Sequence, residues 1–259
     1  LCIGTLTGGL LLKEPQAHRN WHPDFAIGPH ITVDETIRIG MLRNYSYEPL
    51  ERSYSTIEVD PSEAQRMWLL IEPFRENPVF AHTFFSFDAD EHVSFSIEAR
   101  REAGEPYSAV NGLFREYELL YTWGSERDFI GRRATWLNHT VVMLPINASP
   151  EFVSGLMLEL ARESERLERE AKFYHTITDT CTTELAEHAN RVKPGTIPLT
   201  KHRFMPGLAS ELVYERGLVA TNLSYEEMMD AYDITAFVRS HPLDGTFSQD
   251  LRKYLETVE

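Results

Sequence analysis

Cysteine is scarce in this chain, because its 259 residues include only Cys2 and Cys181. Cys2 lies in an apolar leader, and Cys181 lies where turn residues give way to a helical pattern, so a structural disulfide between them is not expected. Two cysteines do not identify the redox compartment. The sequence therefore predicts that Cys181 is a free thiol, and it leaves open whether that thiol is reactive or inert.

An excess of positive charge is also lacking. The formal net charge is -15 at pH 7, from 40 acidic and 25 basic residues. This balance argues against binding of the soluble body to nucleic acid or to an anionic membrane, because both need clustered cations. Low-complexity tracts and internal repeats are absent from the sequence. Its 42% hydrophobic and 25% charged residues are typical of a globular protein, and its length favours one large domain with an appended segment.

The N-terminal stretch from Leu1 to Leu12 carries no charge, but it is too short to cross a bilayer, which takes about 20 apolar residues. We interpret this stretch as the end of a transmembrane or signal segment, and the alternative is a buried first strand. The predicted organisation is an apolar leader over residues 1–15 and a single domain over residues 16–259. The leader predicts a tether to a membrane.

Three histidines, His18, His22 and His30, are scattered in and just beyond a loop-like stretch. Their spacing is irregular, and no cysteine or carboxylate lies at the intervals of a metal-binding motif. We therefore predict surface or packing roles for these histidines. Neither a metal nor another cofactor is predicted for the protein.

The secondary-structure pattern is mixed, which predicts the α+β class. The longest amphipathic helix is predicted from Ser149 to Ala171, and Ser224 with Glu227 forms a capping box at the start of a later helix. The segment after Arg191 is expected to cover the core and to wall a pocket. Alternation and buried apolar runs predict strands near residues 31–42, 45–59, 68–71, 114–123 and 141–145.

Residues 172–191 place Cys181 in the first turn of a predicted helix. Asp179 and Thr180 are typical cap residues, and apolar residues at helical spacing begin at Leu185. The unpaired N–H groups and the positive dipole end of a helix stabilise a thiolate, which lowers the pKa of the thiol. The same N–H groups can bind the oxyanion that forms when a thiolate attacks an acyl carbonyl.

The clearest predicted hairpin has arms at residues 80–87 and 93–101. A loop of three residues would set His82 directly across from Glu98, at a distance of about 5 Å between their Cβ atoms, so that the carboxylate could orient the imidazole. A register slip of one residue would separate their faces. We expect Ser86, on the face of His82, to support the site. The alternative role of Glu98 is a salt bridge with Arg100, Arg101, Arg127 or Arg133.

Several longer motifs follow one another along the chain. They read NWHPDFA, FAHTFFSFD, SFSIEARREAGEPYS, GLFREYELLYTWGSERD, FYHTITDTCTTE and PGLASELVYERGL. In these motifs and their order the chain resembles the Lnb-type N-terminal periplasmic domain, which is named after a bacterial lipoprotein N-acyltransferase. The resemblance extends from about Trp21 to the end of the sequence.

The resemblance implies a circularly permuted papain-like fold, similar to the NlpC/P60 and lecithin-retinol acyltransferase groups, with an antiparallel sheet packed against the cysteine-bearing helix. In such folds the histidine strand precedes the cysteine helix, and His82 and Cys181 match those two positions. The family motif usually reads Asn-Cys-Thr-Thr, whereas Thr180 precedes Cys181 in this chain. The nucleophile is thus retained, but an amide that could bind the oxyanion is lost.

The predicted reaction gives each site residue a role. His82 removes the thiol proton of Cys181, and the thiolate attacks an ester carbonyl to form an acyl-thioester. Glu98 holds the imidazole in the required tautomer and stabilises the imidazolium. The backbone N–H of Cys181, with the side chain of Thr180 or Asp179, stabilises the tetrahedral oxygen.

The resemblance alone implies the partners: a phospholipid acyl donor and an acceptor amine, such as the N-terminus of a lipoprotein. It also implies a location in the periplasm or at the outer face of the cytoplasmic membrane. A family motif containing Glu126, Arg127 and Asp128 is interpreted as a structural ion network rather than a catalytic cluster.

Two rival hypotheses remain open at the level of sequence. In the first, water replaces the amine as acceptor, which gives a peptidase, an amidase or a lipid hydrolase. An apolar trough beside Cys181 would favour acyl transfer, whereas a polar groove would favour hydrolysis of peptides. In the second, the protein is a non-catalytic envelope module that binds lipid or proteins, with Cys181 far from His82 or inaccessible.

Overall fold

The computed structural model of the chain describes residues 13–74, 80–200 and 205–258. Most of the predicted leader, including Cys2, lies outside the described residues, so the membrane tether stays a prediction. Within the described ranges, no helix combines the length and the apolar character that are needed to cross a membrane.

Strands build the centre of the molecule. In the described part of the chain they are β1 (His30–Val33), β2 (Ile37–Arg43), β3 (Ser46–Tyr47), β4 (Leu50–Glu51), β5 (Tyr54–Val59), β6 (Arg66–Pro73), β7 (Ala81–Asp88), β8 (His92–Arg100), β9 (Glu118–Gly124) and β10 (Val142–Pro145). One sheet has the order β1-β2-β9-β8-β7-β6-β10, and β5 also pairs with β2. The short strands β3 and β4 pair only with each other.

The sheet is mixed, which differs from the antiparallel sheet that was predicted. Its neighbours are antiparallel except β2 and β9, which meet in parallel where Arg43 pairs with Gly124. The segment after β9 brings these strands together, because the N–H of Ser125 donates to the carbonyl oxygen of Arg43 at 2.9 Å. The α+β class is observed, whereas the permuted papain-like arrangement stays a prediction.

The central hairpin of β7 and β8 has the predicted register. Its ladder runs from the pair of Phe84 and Ser96 to the pair of Asp88 and His92, which leaves a loop of three residues. Apolar side chains from both faces of this hairpin are buried, including Phe84 and Phe85. Both faces are buried because helices cover the sheet on both sides.

Helices flank the sheet, and a side-chain cap begins five of those in the described residues. The helices are α1 (Ala109–Leu113), α2 (Glu126–Gly131), α3 (Pro150–Arg169), α4 (Cys181–Val192), α5 (Ala209–Glu215), α6 (Tyr225–Ala231), α7 (Thr235–Ser240) and α8 (Phe247–Leu255), with a π-helical turn (Arg132–Trp136) after α2 and 3-10 turns at Pro61–Glu63 and Pro206–Leu208. The predicted long helix is confirmed as α3 with Ser149 as its cap. The capping box of Ser224 and Glu227 is also confirmed, at the start of α6.

Two faces of the sheet receive different helices. On one face, Trp123 donates to Ser164 of α3 at 2.9 Å, and Tyr121 donates to Glu184 of α4 at 2.7 Å. On the other face, Arg133 of the π-helical turn and Arg252 of α8 pair with the strand carboxylates Glu98 and Asp88. Helix α2 contributes the carboxylate of Asp128, which pairs with Arg43 of β2. The first face is therefore mostly apolar, and the second contains a buried polar layer.

The strand predicted near residues 114–123 begins later than expected, at Glu118. The short helix α1, with Ser108 as its cap, precedes it. Phe114 ends α1 and is exposed, and Arg115 turns the chain with a φ of 55°. The aromatic residues before Glu118 therefore do not belong to the strand.

Candidate active site

Cys181 is the first residue of α4, as its local pattern predicted. Thr180 is the N-cap, and a capping box joins it to Thr183 in both directions. The thiol is 6% exposed and free of a disulfide. The N–H groups of the first helical turn have no partner within the helix, so the helix start provides both a positive dipole end and donors beside the sulfur.

His82 meets Cys181 just beyond the end of the ladder between β7 and β8. There the N–H and the side chain of Thr83 hydrogen-bond the Cys181 sulfur. Burial raises the pKa of the Cys181 thiol, but the hydrogen bond and the positive charge of His82, together with the Thr83 bonds, lower it from 9.0 to about 7. The non-catalytic hypothesis expects Cys181 to be either far from His82 or inaccessible. The separation is not observed, because His82 acts directly on the thiol, whereas the second arrangement agrees with the 6% exposure of Cys181.

Glu98 and Ser96 hold the imidazole from the neighbouring strand. Ser96 Oγ donates to Glu98 Oε1 at 2.7 Å, so it accepts from His82 Nε2 at 2.8 Å. Glu98 Oε1 itself lies 3.3 Å from His82 Nε2. These contacts place a proton on Nε2 and leave Nδ1 as the ring nitrogen available to the thiol.

The charges of these groups support one another. Burial lowers the pKa of His82, but the negative charge of Glu98 and the interaction with Cys181 raise it to about 10. Burial raises the pKa of Glu98, but the charge and hydrogen bond of His82 hold it well below its usual range. At neutral pH a larger fraction of Cys181 is therefore thiolate than in an ordinary thiol, and the thiolate is the reactive form of the nucleophile.

The alkylation of Cys181 by iodoacetamide is expected to have its inflection near pH 7, because only the thiolate reacts and the pKa is about 7. Below the inflection the rate should fall about tenfold for each pH unit. The measurement is the rate of mass gain of the folded protein from about pH 5 to about pH 9. Cys181→Ala serves as the control for labelling elsewhere, and an inflection near the ordinary thiol value of 9.0 would contradict the expectation.

Three predicted supporting residues have other roles. Thr180 uses its hydroxyl in the capping box, where it accepts from the N–H of Thr183 at 3.2 Å. Asp179 pairs with Lys172 at 2.6 Å. Burial raises the pKa of Asp179, but its hydrogen bonds to Lys172 and to a neighbouring threonine lower it below the usual value, so the ionised group has no proton to donate to an oxyanion.

Ser86 is the third predicted supporting residue, and it lies farther along β7. Its hydroxyl donates to Glu126 in the polar layer under α8. Ser96 occupies the place beside His82 that was assigned to Ser86. Both serines share the face of His82, but only Ser96 lies at the end of the hairpin that α4 approaches.

The structure also brings in site residues that sequence reasoning missed. Thr83 and Thr182 directly follow His82 and Cys181 in the sequence, and their hydroxyl oxygens lie 3.1 Å apart. Arg133 binds Glu98, with 3.3 Å between Nη2 and Oε1. The threonines could have been found from their positions beside the predicted pair. The sequence offered Arg133 only as one of four possible partners of Glu98.

An apolar cavity of about 400 Å³ follows α4 away from the threonine pair. Its wall on α4 runs from Thr182 to Ala189, which is about 10 Å along the helix axis. Cys181 and His82 lie behind the threonine pair rather than in the wall. Other lining residues come from the sheet and from α5, among them Met67, Leu69, Phe85, Leu212 and Val213. The segment after Arg191 thus walls a pocket, as predicted.

Two phenols lie near the thiol as well. The hydroxyls of Tyr107 and Tyr174 are 3.3 Å apart. Burial raises the pKa of Tyr174, and the charges of Tyr107 and Cys181 raise it further. Helix α1 lies against this pair, since a Cβ at Gly112 would be 3.2 Å from the ring of Tyr174. Tyr107 is exposed, and so are three apolar side chains of α1 and of the segment after Tyr174: Val110, Phe114 and Ile177.

Other clusters of charged residues have structural roles in the polar layer. Asp128 pairs with Arg43 at 2.9 Å, and Glu126 pairs with Arg252 at 2.6 Å. Arg127 donates to Asn44 at 2.8 Å. These contacts connect α2 with the sheet and with α8. Among the residues that the structure describes, no three or more His, Cys, Asp or Glu side chains are grouped so as to hold a metal ion.

Comparison with known proteins gives one family. The family described as the Lnb N-terminal periplasmic domain matches residues 51–206, which are more than half of the chain and include His82, Glu98 and Cys181. The predicted resemblance to this family is confirmed over residues 51–206, and with it the periplasmic location, whereas the membrane tether stays a prediction. A search of the curated proteins and a search of the solved structures each found no match.

Proposed function

The chain belongs to the family of Lnb N-terminal periplasmic domains, and from this premise we propose that it is a thiol acyltransferase of the cell envelope. The proposed donor is a phospholipid, and the proposed acceptor is an amine such as the N-terminus of a lipoprotein. The observation that carries the proposal is the apolar cavity whose lining on α4 begins at Thr182, the residue that follows the thiol of Cys181 in the sequence. A fold related to the permuted papain-like proteins is part of the same proposal.

The first half of the reaction forms an acyl-thioester. The Cys181 thiolate attacks the ester carbonyl carbon of the donor, so a carbon–sulfur bond forms and the carbonyl oxygen becomes an oxyanion. When the oxyanion collapses, the bond between the carbonyl carbon and the glycerol oxygen breaks. The imidazolium of His82 donates its proton to that oxygen, and a lysophospholipid leaves.

The oxyanion needs a donor that is already in place. The backbone N–H of Cys181 is the best candidate, because it belongs to the first helical turn, where N–H groups lack partners within the helix. The side chains of Thr180 and Asp179 are weaker candidates, because the hydroxyl of Thr180 is engaged in the capping box and Asp179 pairs with Lys172. The dipole of α4 adds stabilisation to the negative charge.

The second half of the reaction transfers the acyl group. The acceptor amine attacks the thioester carbon, a carbon–nitrogen bond forms, and neutral His82 accepts the proton of the amine. The carbon–sulfur bond then breaks and restores the thiolate. Attack by water in place of the amine would give hydrolysis with the same residues.

The surroundings of the thiol favour a lipid donor over a peptide. The cavity is lined mainly by apolar side chains, and its volume of about 400 Å³ falls in the range of small-molecule sites. An acyl chain could lie along α4 if the hydroxyls of Thr83 and Thr182 move apart. The exposed apolar side chains near Tyr107 would suit a lipid surface better than water.

Incubation with phospholipid vesicles is expected to add the mass of one acyl chain to the parent protein and none to Cys181→Ala. Intact-mass spectrometry is the measurement, and hydroxylamine should remove the added mass because thioesters are labile to it. Addition of a primary amine should remove the acyl group from Cys181, which restores the mass of the free protein and yields the corresponding fatty amide. If the acyl group leaves Cys181 only as free fatty acid, the protein is a hydrolase instead.

The variant Ala189→Phe tests the contribution of the cavity to acylation without changing the nucleophile. Ala189 is 6% exposed in the cavity wall, so a phenylalanine there would occupy space along α4. Acylation by long-chain phospholipids should fall, whereas alkylation of Cys181 by iodoacetamide should stay at the rate of the parent. Equal acylation of both proteins would remove the cavity as the acyl site.

A further inference from the structure

Arg133 lies in the protein interior between two carboxylates that adjoin His82. The side chain is 2% exposed, Nε is 2.8 Å from Glu72 Oε2, and Nη2 is 3.3 Å from Glu98 Oε1. The guanidinium carbon lies 4.2 Å from the centre of the Phe84 ring. This one cation therefore bridges carboxylates from strands β6 and β8, on either side of the strand that carries His82.

Glu72 could compete with Glu98 for the imidazole. It pairs directly with His82 in the ladder of β6 and β7, where Cβ atoms lie about 5 Å apart. The ring nitrogen Nε2 nevertheless contacts Ser96 and Glu98. Glu72 is held elsewhere, by Arg133 through one oxygen and by His139 Nδ1 at 2.5 Å through the other.

We propose that Arg133 is a positioning residue of the thiol site, which draws Glu72 away from the imidazole and fixes Glu98 on Nε2. Two neighbouring buried carboxylates repel each other, and a shared cation removes that repulsion. The planar fork of arginine can bind both groups, whereas the single ammonium of lysine cannot do so in the same geometry. The inference rests on the proposed function, because it assumes that the thiol of Cys181 is used.

The ionisable groups around the imidazole come from separate segments, so their effects on the thiol can be tested one at a time. They are Glu72 on β6, Glu98 on β8, Arg133 on the π-helical turn, His139 before β10, and Cys181 on α4. Removal of a cation makes formation of a thiolate harder, and removal of a carboxylate makes it easier.

The test is the pH profile of Cys181 alkylation by iodoacetamide in full-length variants. Arg133→Gln is expected to raise the inflection by about one pH unit, which lowers the rate at pH 7 about tenfold. Arg133→Lys should raise it less, because the charge is kept. Glu72→Gln should lower the inflection, since it removes a negative charge and leaves the arginine in place.

Arg252→Gln is the matched control. Arg252 is equally enclosed, at 6% exposed, and it bridges Asp88 and Glu126 at the opposite end of the hairpin, roughly 20 Å along the strand from His82. Its loss should reduce the melting temperature but leave the inflection where the parent has it. The inflection should shift upward in Arg133→Gln and downward in Glu72→Gln. A general loosening of the protein structure would shift both inflections in the same direction, so it cannot explain this result.

The two proposals fail in different ways. If the parent becomes acylated while Arg133→Gln and Arg133→Lys both titrate like the parent, the role of Arg133 is overturned and the proposed function stands. A shift of equal size in Arg252→Gln would also overturn it. If the parent thiol shows neither acylation nor an inflection near pH 7, the proposed function is lost together with this inference.

Discussion

Substitution of His82 by glutamine is expected to lower the rate of acyl-thioester formation on Cys181 by about 10²–10⁴-fold, the usual contribution of a positioned acid–base group. Glutamine can keep a hydrogen bond to Ser96, but it cannot take the thiol proton or protonate the leaving alcohol. The sulfur would remain buried without its cation, so its pKa should rise above the ordinary thiol value. Alkylation by iodoacetamide near pH 7 should therefore slow as well.

His92→Gln is the control for this variant. His92 lies on the same hairpin at its loop end, where it pairs with Asp88 at 3.2 Å, and it is remote from the thiol. The variant His92→Gln should leave the rates of acylation and of alkylation of Cys181 unchanged. If His82→Gln were acylated at the rate of the parent, the base would have to be another group and the assigned mechanism would be wrong.

The start of α4 could be predicted because its signals are local. The cap residue Thr180 and the apolar spacing after it fixed the place of Cys181 in the first turn. The register of the β7–β8 hairpin could be predicted for a similar reason. Its arms alternate, its turn is short, and a loop of three residues sets which faces coincide, so the neighbourhood of His82 and Glu98 followed from the sequence.

The supporting residues could not be predicted in the same way. Ser86 and Ser96 share one face, and the choice between them depends on which end of the hairpin meets α4, which is a tertiary fact. A cap residue can be recognised from sequence, but the direction of its hydroxyl cannot, and the hydroxyl of Thr180 is used within the helix. Arg133 reaches the site from a π-helical turn whose geometry has no recognised sequence signal.

The start of β9 was predicted too early for a different reason. Aromatic residues favour a strand, but Phe114 lies at the end of a short helix, and the hydroxyl of Tyr117 binds the backbone of Pro106 and Ser108. Local propensity was overridden by packing of α1 against Tyr174. That packing matters for the site, because it brings the exposed apolar side chains of α1 close to the thiol.

Asp128→Ala is expected to have the largest effect on stability, about 3–5 kcal/mol, the cost of removing one partner of a buried ion pair. The Asp128 side chain is 0% exposed. It accepts two bonds from Arg43 at 2.9 Å, one from the N–H of Tyr45 at 2.9 Å, and one from the hydroxyl of Tyr47 at 2.6 Å. Its loss would leave the Arg43 guanidinium buried without an anion.

The free energy of unfolding, measured by urea titration, checks this expectation with three comparison variants. Asp128→Asn should fall between the parent and Asp128→Ala, because the amide keeps an acceptor but not the charge. Arg43→Met combined with Asp128→Leu should recover much of the loss, since apolar replacements of a buried pair are often close to neutral. Glu35→Ala, a change at the exposed turn between β1 and β2, should alter stability by less than about 0.5 kcal/mol. If Asp128→Ala unfolded at the urea midpoint of the parent, the ion pair between α2 and β2 would not be what holds α2 on the sheet.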